Sequence, residues 1–350
     1  MIREIYEQPR AIAETLEESF SEARRIVGQL NAQNLRMVYF TGSGTSYHAC
    51  LAVNYALSTL TRIFASSLPA SEFPSWMRQA RSTETILIAI SQSGESADVM
   101  AAVNSALTSG MRVVALTNTP ASSLASSTPF RIVSKAGDER AVTATKSFAS
   151  ILAAGYALVL ELAQEAGAGV LRSHEELAAE LKKSPGRVEE TLGLCGDTAQ
   201  ALASKFKEEE FFFLLGSGAN YPTALEGALK LKESCNLYAE GFATREFLHG
   251  PMQLVDSRTP VFILQGRGEA DQASRLAESF TRFGAPTVMV CPRLKGSSPE
   301  VKMALEVAGE IEEVFSPLVY VVPLQLYAYY SSVIRGLNPD RPEKLAKVVK

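Results

Sequence analysis

Three charged side chains and one histidine are the part of this chain best suited to chemistry. In Ala224-Leu-Glu-Gly-Ala-Leu-Lys-Leu-Lys-Glu233, the residues Glu226, Lys230 and Glu233 fall at i, i+4 and i+7, so a helix would place them on one stripe. His249 follows in Arg245-Glu-Phe-Leu-His-Gly-Pro251, at a Gly-Pro break. A carboxylate, an ammonium and an imidazole held close together are what general acid–base proton transfer requires. The plainer reading is a solvated helix face with an ordinary Glu–Lys pair, and the helix alone favours it. The rest of the chain has to decide.

Positioning such groups needs a rigid frame, and the sequence shows one that is duplicated. Val38-Tyr-Phe-Thr-Gly-Ser-Gly44 and Phe211-Phe-Phe-Leu-Leu-Gly-Ser-Gly218 are apolar runs ending in glycine turns, with Gly42 and Gly216 174 positions apart. Ile86-Leu-Ile-Ala-Ile-Ser-Gln-Ser-Gly-Glu95 and Val261-Phe-Ile-Leu-Gln-Gly-Arg-Gly-Glu269 repeat that offset, as do the segments opening at Gly110 and Gly284. Three matches at one spacing mark an internal repeat. Buried-type strands alternate with amphipathic segments such as 96–109 and 270–283, which predicts an α/β fold with parallel strands and helices on both faces. The halves are expected at 1–166 and 199–350, with a charged helical connector over 167–198.

The halves differ chemically. The first carries hydroxyls at its turns, Ser43, Thr45 and Ser46, then Ser91, Ser93 and Ser96; the second has Gln265-Gly-Arg-Gly-Glu-Ala270 in the later position. A glycine turn between strand and helix aims backbone N–H groups at one point, and hydroxyls add neutral donors, so the first half is the one equipped for a phosphate. Gly/Ser turns are also common βα connections, and neither turn alone is specific. The first is not GxGxxG, and no Walker lysine is present.

Bulk properties narrow the function. The chain is 46% hydrophobic and 21% charged with a net charge of −4, which leaves no electrostatic footprint for nucleic acid. Cys50, Cys195, Cys235 and Cys291 are scattered without metal-ligand spacing, which fits a reducing compartment and predicts no metal. The N-terminus lacks an apolar signal core, and the longest membrane candidate, 314–330, is broken by Pro317, Pro323 and Gln325. The expectation is a cytoplasmic protein. His48 is expected to pack near the first turn and His174 to be exposed.

Taken together, these residues resemble the sugar isomerase (SIS) domain family, and within it the isomerase half of glucosamine-6-phosphate synthases. The motifs carrying the resemblance span nearly the whole chain: Glu4-Ile-Tyr-Glu-Gln-Pro9, Gly44-Thr-Ser-Tyr-His-Ala49, Ser91-Gln-Ser-Gly-Glu95, Thr145-Lys-Ser-Phe148, Tyr221 through Glu233, His249-Gly-Pro251 and Leu345-Ala-Lys347. The resemblance implies two tandem doubly wound, flavodoxin-like SIS subdomains. It implies a phosphosugar substrate, with Ser43, Gly44, Thr45, Ser46, Ser91, Gln92, Ser93 and Ser96 around the phosphate and Val142 against the sugar. Glu233 would move a proton between C1 and C2, and Lys230 would assist at the neighbouring oxygens. His249 would open the ring and reach in from another subunit, implying a homodimer. Lys347 would contact the open-chain sugar and could form an imine, while Glu226 and Glu246 would support Lys230 and the histidine loop. No cofactor, nucleic acid or membrane is implied.

The chain also departs from that pattern. It begins directly in the isomerase half, without the glutamine-hydrolysing domain; its tail is slightly short, and Ser43 stands where cysteine is usual. The leading expectation is a deaminase that converts glucosamine 6-phosphate to fructose 6-phosphate and ammonia. The alternative is a free-standing isomerase or aminotransferase using ammonia or a separate glutaminase subunit. A non-catalytic sugar-phosphate sensor is the third reading, weakened by the retention of Glu233, His249 and Lys347.

Overall fold

The structure is a computed structural model and describes residues 1–30, 35–77, 84–167, 172–292, 303–309 and 311–348. The chain divides into two compact units. One comprises Glu7–Glu139, Lys146–Pro185 and Ala346–Lys350; the other comprises Met1–Tyr6, Arg140–Thr145 and Gly186–Leu345. They are called the first and second unit here.

The first unit is built on β1 (Met37–Gly42), β2 (Phe64–Pro69), β3 (Thr85–Ile90), β4 (Arg112–Thr117) and β5 (Arg131–Val133), in the order β2-β1-β3-β4-β5. All four pairings are parallel. Every residue of β3 is buried, the signature of a parallel strand covered on both faces. Its helices are α2 (Gln8–Gln29), α3 (Thr45–Leu60), α4 (Phe73–Trp76), α5 (Ala97–Thr108), α6 (Ser123–Ser126), α7 (Lys146–Glu165) and α8 (His174–Lys182), after the short α1 (Ile2–Tyr6) of the second unit. The α7 helix packs on α2 and α3 and is buried from Lys146 to Ala163. By length and composition it could cross a membrane, although 94% of its apolar window lies inside the fold. Among the described residues α7 is the one helix that meets this test, and 314–330 does not meet it.

The second unit holds most of α9 (Ser184–Lys205), then α10 (Tyr221–Cys235), α11 (Ala270–Arg282) and α12 (Pro317–Ile334). Its strands are β6 (Phe211–Gly216), β7 (Tyr238–Ala243), β8 (Val261–Leu264), β9 (Thr287–Pro292) and β10 (Ala304–Val307), in the order β10-β9-β8-β6-β7. Again every pairing is parallel. Read from the other edge this is β7-β6-β8-β9-β10, the order of the first sheet shifted by five strands. The two tandem doubly wound sheets expected from the repeat are thus present. The turns correspond in detail. A Cβ on Gly42 would lie 2.8 Å from the Ser46 carbonyl carbon, and one on Gly216 2.1 Å from the Asn220 oxygen. Both strands pass into the next helix too tightly for any side chain.

One local expectation is corrected. His174 is not exposed: its side chain is 14% accessible, with Nε2 3.2 Å from the buried Glu161 carboxylate. The α12 helix runs on through Pro323, because tertiary burial of nearly its whole surface outweighs the lost backbone hydrogen bond.

Candidate functional site

In an open α/β sheet, ligands bind beyond the carboxyl ends of the strands where the strand order reverses. In the first unit that point lies between β1 and β3, where the two hydroxyl-bearing turns sit. Gly44 caps α3 with φ 54° and no side-chain bond, while the carbonyls of Ser43 and Gly44 accept from the Ser46 and Tyr47 N–H groups. Ser43 and Gly44 are exposed, and Thr45 and Ser46 partly so. After β3, the buried Ser91 hydroxyl accepts from the Gly94 N–H at 3.1 Å, and the Ser93 hydroxyl accepts from the Glu95 N–H at 3.2 Å. Each hydroxyl keeps its own O–H to donate. Ser96 is the N-cap of α5, yet its side chain makes no capping bond. The Gln92 carbonyl accepts from Asn118 N–H and from the Thr117 and Thr119 hydroxyls, which ties this turn to the end of β4. Gln92 also lines a cleft of about 1010 Å³ in this unit, together with Asn118, Thr119, Lys135 and Glu139.

The charged row lies in the second unit, on α10. Proline at the second helical position and Asn236 in the left-handed region at its end (φ 55°) delimit the helix, as fixed-φ entry and αL exit do generally. Lys230 Nζ lies 3.0 Å from Glu226 Oε1 and 2.7 Å from Glu233 Oε2, and it donates to the Ala144 carbonyl at 3.4 Å. Side-chain exposure is 0% for Lys230 and Glu226 but 22% for Glu233. Glu233 is the member of the row that reaches solvent. Burial alone would lower the Lys230 pKa, but the charges and hydrogen bonds of Glu226 and Glu233 outweigh it and raise the pKa above the ordinary lysine value. Lys230 is a fixed ammonium. Its N–H groups meet Glu226, Glu233 and the Ala144 carbonyl, so it holds Glu233 in place.

The Ala144 carbonyl belongs to segment 140–145, which also carries Val142. Buried Glu4 accepts from the Arg140 N–H at 2.5 Å and the Ala141 N–H at 3.2 Å, and Val142 N–H donates to the Asp340 carbonyl. Val142 is partly exposed. Glu246 and His249 lie together on a 3₁₀ turn, Glu246–His249, anchored by buried Phe247; both are exposed.

Lys347 belongs to the first unit, with Nζ 3.4 Å from Glu139 Oε2 and a side chain 30% exposed. Glu139 itself is buried and accepts from Ser147, from the N–H at 3.1 Å and from the hydroxyl at 2.5 Å. The tail lysine therefore meets a carboxylate fixed at the first turn of α7. Glu139 and Ala144 were not among the candidates from sequence. A carboxylate six residues before a Thr-Lys motif carries no signal of burial, and a backbone carbonyl carries none at all. Among the described residues no group of three or more His, Cys, Asp or Glu could hold a metal ion.

Comparison with known proteins gives these arrangements a lineage. The SIS domain family profile matches residues 33–161 and 205–335, one match on each sheet. A glutamine–fructose-6-phosphate aminotransferase (isomerizing) of Thermococcus kodakarensis is 37% identical over 352 residues, covering 100% of this chain and 57% of that relative. The chain spans about 57% of the length of such curated relatives. Among solved structures, the C-terminal domain of glucosamine-fructose-6-phosphate aminotransferase from Francisella tularensis aligns with a TM-score of 0.87 at 26% identity, covering 97% of each chain. A glucosamine-6-phosphate deaminase of Thermotoga maritima aligns with a TM-score of 0.73 at 25% identity, covering 97% of this chain and 99% of that one. With both halves matched and the same strand order in each sheet, the chain belongs to the SIS domain family.

Proposed function

We propose that this chain is a phosphosugar aldose–ketose isomerase and that it deaminates glucosamine 6-phosphate, yielding fructose 6-phosphate and ammonia. The observation that carries the isomerase reading is the α10 row. A carboxylate with solvent access is held at 2.7 Å by a lysine that is itself fully buried and fixed by a second carboxylate. Such a carboxylate is held in one place, as a base serving two adjacent carbons must be.

The steps follow from the groups present. The turns bearing Ser43, Gly44, Thr45, Ser46, Ser91, Gln92, Ser93 and Ser96 hold the phosphate through neutral donors. His249 helps open the ring. Glu233 takes the proton from C2 of the open-chain aldehyde and returns it at C1, which leaves an imine at C2. Water adds to that imine, the C–N bond breaks, and ammonia leaves with fructose 6-phosphate behind. Val142 packs against the sugar, Lys347 contacts its open-chain form, and Glu226 and Glu246 support Lys230 and the histidine turn. His249 is exposed, which suits a group serving a neighbouring subunit, so the working form is a homodimer in the cytoplasm.

The deaminase direction is supported by the likeness to the Thermotoga maritima structure, which spans nearly the whole of both chains. It also requires a site for one substrate only. The second reading, an isomerase or aminotransferase drawing on ammonia or a separate glutaminase, is supported by the 37% identity to the Thermococcus kodakarensis relative. A coupled assay decides between them. Purified protein given glucosamine 6-phosphate alone should release ammonia and fructose 6-phosphate in equal amounts. No ammonia sinks the deaminase; conversion of fructose 6-phosphate to glucose 6-phosphate, or to glucosamine 6-phosphate with added ammonia, favours the second reading.

A further inference from the structure

The internal repeat sets one glutamate against another. Glu95 and Glu269 occupy equivalent places, 174 positions apart, each at the end of its glycine turn. Their side chains do opposite things. Glu269 folds back into its own turn, where Oε2 accepts from the Gly266 N–H at 3.1 Å. Ser217, on the neighbouring turn after β6, is a hydrogen-bonding neighbour of the same carboxylate. A Cβ on Gly266 would come within 2.8 Å of Glu269 Oε2, so the glycine leaves room for the carboxylate's return. The acid group thus bridges the two turns at the point where the strand order of the second sheet reverses. A bound anion at the matching point of the first sheet would bridge the turns after β1 and β3 in the same way. Burial, with Glu313 adding to it, raises the Glu269 pKa despite these hydrogen bonds.

Glu95 is drawn outward instead. Its Oε1 accepts from the Ser123 N–H and its Oε2 from the Ser123 hydroxyl, both at 2.8 Å. Ser123 opens the short helix α6 after β4, with Ser122 as its N-cap. This two-point grip ties the exposed carboxylate to the start of α6, on the loop after β4.

We infer that Ser123 is a positioning residue that keeps the first half's turn open to a phosphate by holding Glu95 out of it. Without that grip, Glu95 would fold into its own turn as Glu269 does and compete with the ligand as an internal anion. The inference rests on the reading that the turn 91–96 holds the substrate phosphate. It explains why one half of a duplicated fold takes an anion and the other does not, beyond the loss of hydroxyls.

The test is a rescue experiment. Ser123 stands at the first helical position and Ser122 before it is extended, with ψ 163°, so Ser123→Pro fits the backbone while removing both donors. Calorimetric titration of the full chain with fructose 6-phosphate should show affinity weakened by roughly tenfold or more, as like charges brought together produce. Glu95→Gln alone should bind as the wild type does, and Ser123→Pro with Glu95→Gln should return most of the lost affinity. Ser123→Ala removes one donor only and should give a smaller loss, rescued in the same way if the proline variant does not fold. Unchanged affinity in Ser123→Pro, or a loss that persists in the double variant, overturns the inference. Ser93→Ala in the same titration separates the two layers: if it too binds normally, the phosphate lies elsewhere and the underlying reading has failed.

Discussion

Replacing Lys230 with methionine tests the central arrangement directly. The substitution keeps most of the side chain's length, one heavy atom short, and removes the charge between Glu226 and Glu233. The two carboxylates are not equally exposed to the consequence. Glu233 is 22% accessible and can be rehydrated, whereas Glu226 has no exposure at all and would be left buried without its cation. Removing one partner of a buried pair typically costs about 3–5 kcal/mol. In a folded unit of 150–250 residues each kcal/mol moves the midpoint by about 2–4 °C, so Lys230→Met should lower the transition of this unit by about 6–20 °C. Adding Glu226→Gln removes the stranded charge and should recover at least half of the loss, a coupling that independent sites do not show.

The pH dependence has a definite sign. In the wild type the Lys230 pKa is raised, so its contribution is complete below the ordinary lysine value and is lost only as pH climbs through the raised one. Between pH 6 and 9 Lys230 therefore adds no slope of its own. In Lys230→Met a buried carboxylate without its cation takes up a proton more readily, and the deficit should shrink as pH falls toward 5. Scanning calorimetry of wild type, single and double variants at pH 5 and 8 provides the measurement. A single variant within about 1 kcal/mol of wild type at pH 8, or a double variant no better than the single, would show that the row is not the strongly coupled buried unit described.

Four further outcomes are expected. Glu233→Gln should retain substrate binding while exchange of the C1 or C2 proton with solvent falls by roughly 10²–10⁴-fold; near-normal exchange by NMR removes Glu233 as the base. Ser93→Ala should weaken fructose 6-phosphate by about tenfold or more, the worth of a hydroxyl donor to a charged partner, without changing the melting temperature. Borohydride reduction with fructose 6-phosphate should attach sugar mass at Lys347 if an imine forms there, and peptide mapping that finds no adduct leaves only the charged contact held near Glu139. The four buried thiols should resist alkylation at pH 8, since burial pushes Cys195 up to about 12 and Cys291 to about 11; rapid labelling of the native protein would contradict the packing.

The sequence determined the parts of this protein that depend on local repetition. Apolar runs of strand length ending in glycine turns, recurring at one offset, were enough for two parallel sheets, because a strand buried on both faces has to be apolar throughout. The spacing of Glu226, Lys230 and Glu233 was enough for a shared stripe, because the α-helix has a fixed period. What the sequence left open was which of these charges is buried. Lys230 looks the same on paper whether it faces water or lies between two carboxylates and the Ala144 carbonyl. That difference comes from α12 and segment 140–145, far away in the chain, closing over α10. The partners of Glu139, Glu95 and His174 were likewise invisible, since Ser147, Ser123 and Glu161 are not at any spacing that a local rule reads. Glu95 and Glu269 show the limit most clearly: equivalent residues in matching turns take different partners, Ser123 for the one and Gly266 for the other. The hydrogen bonds available nearby, and not the residue type, decide where a carboxylate goes.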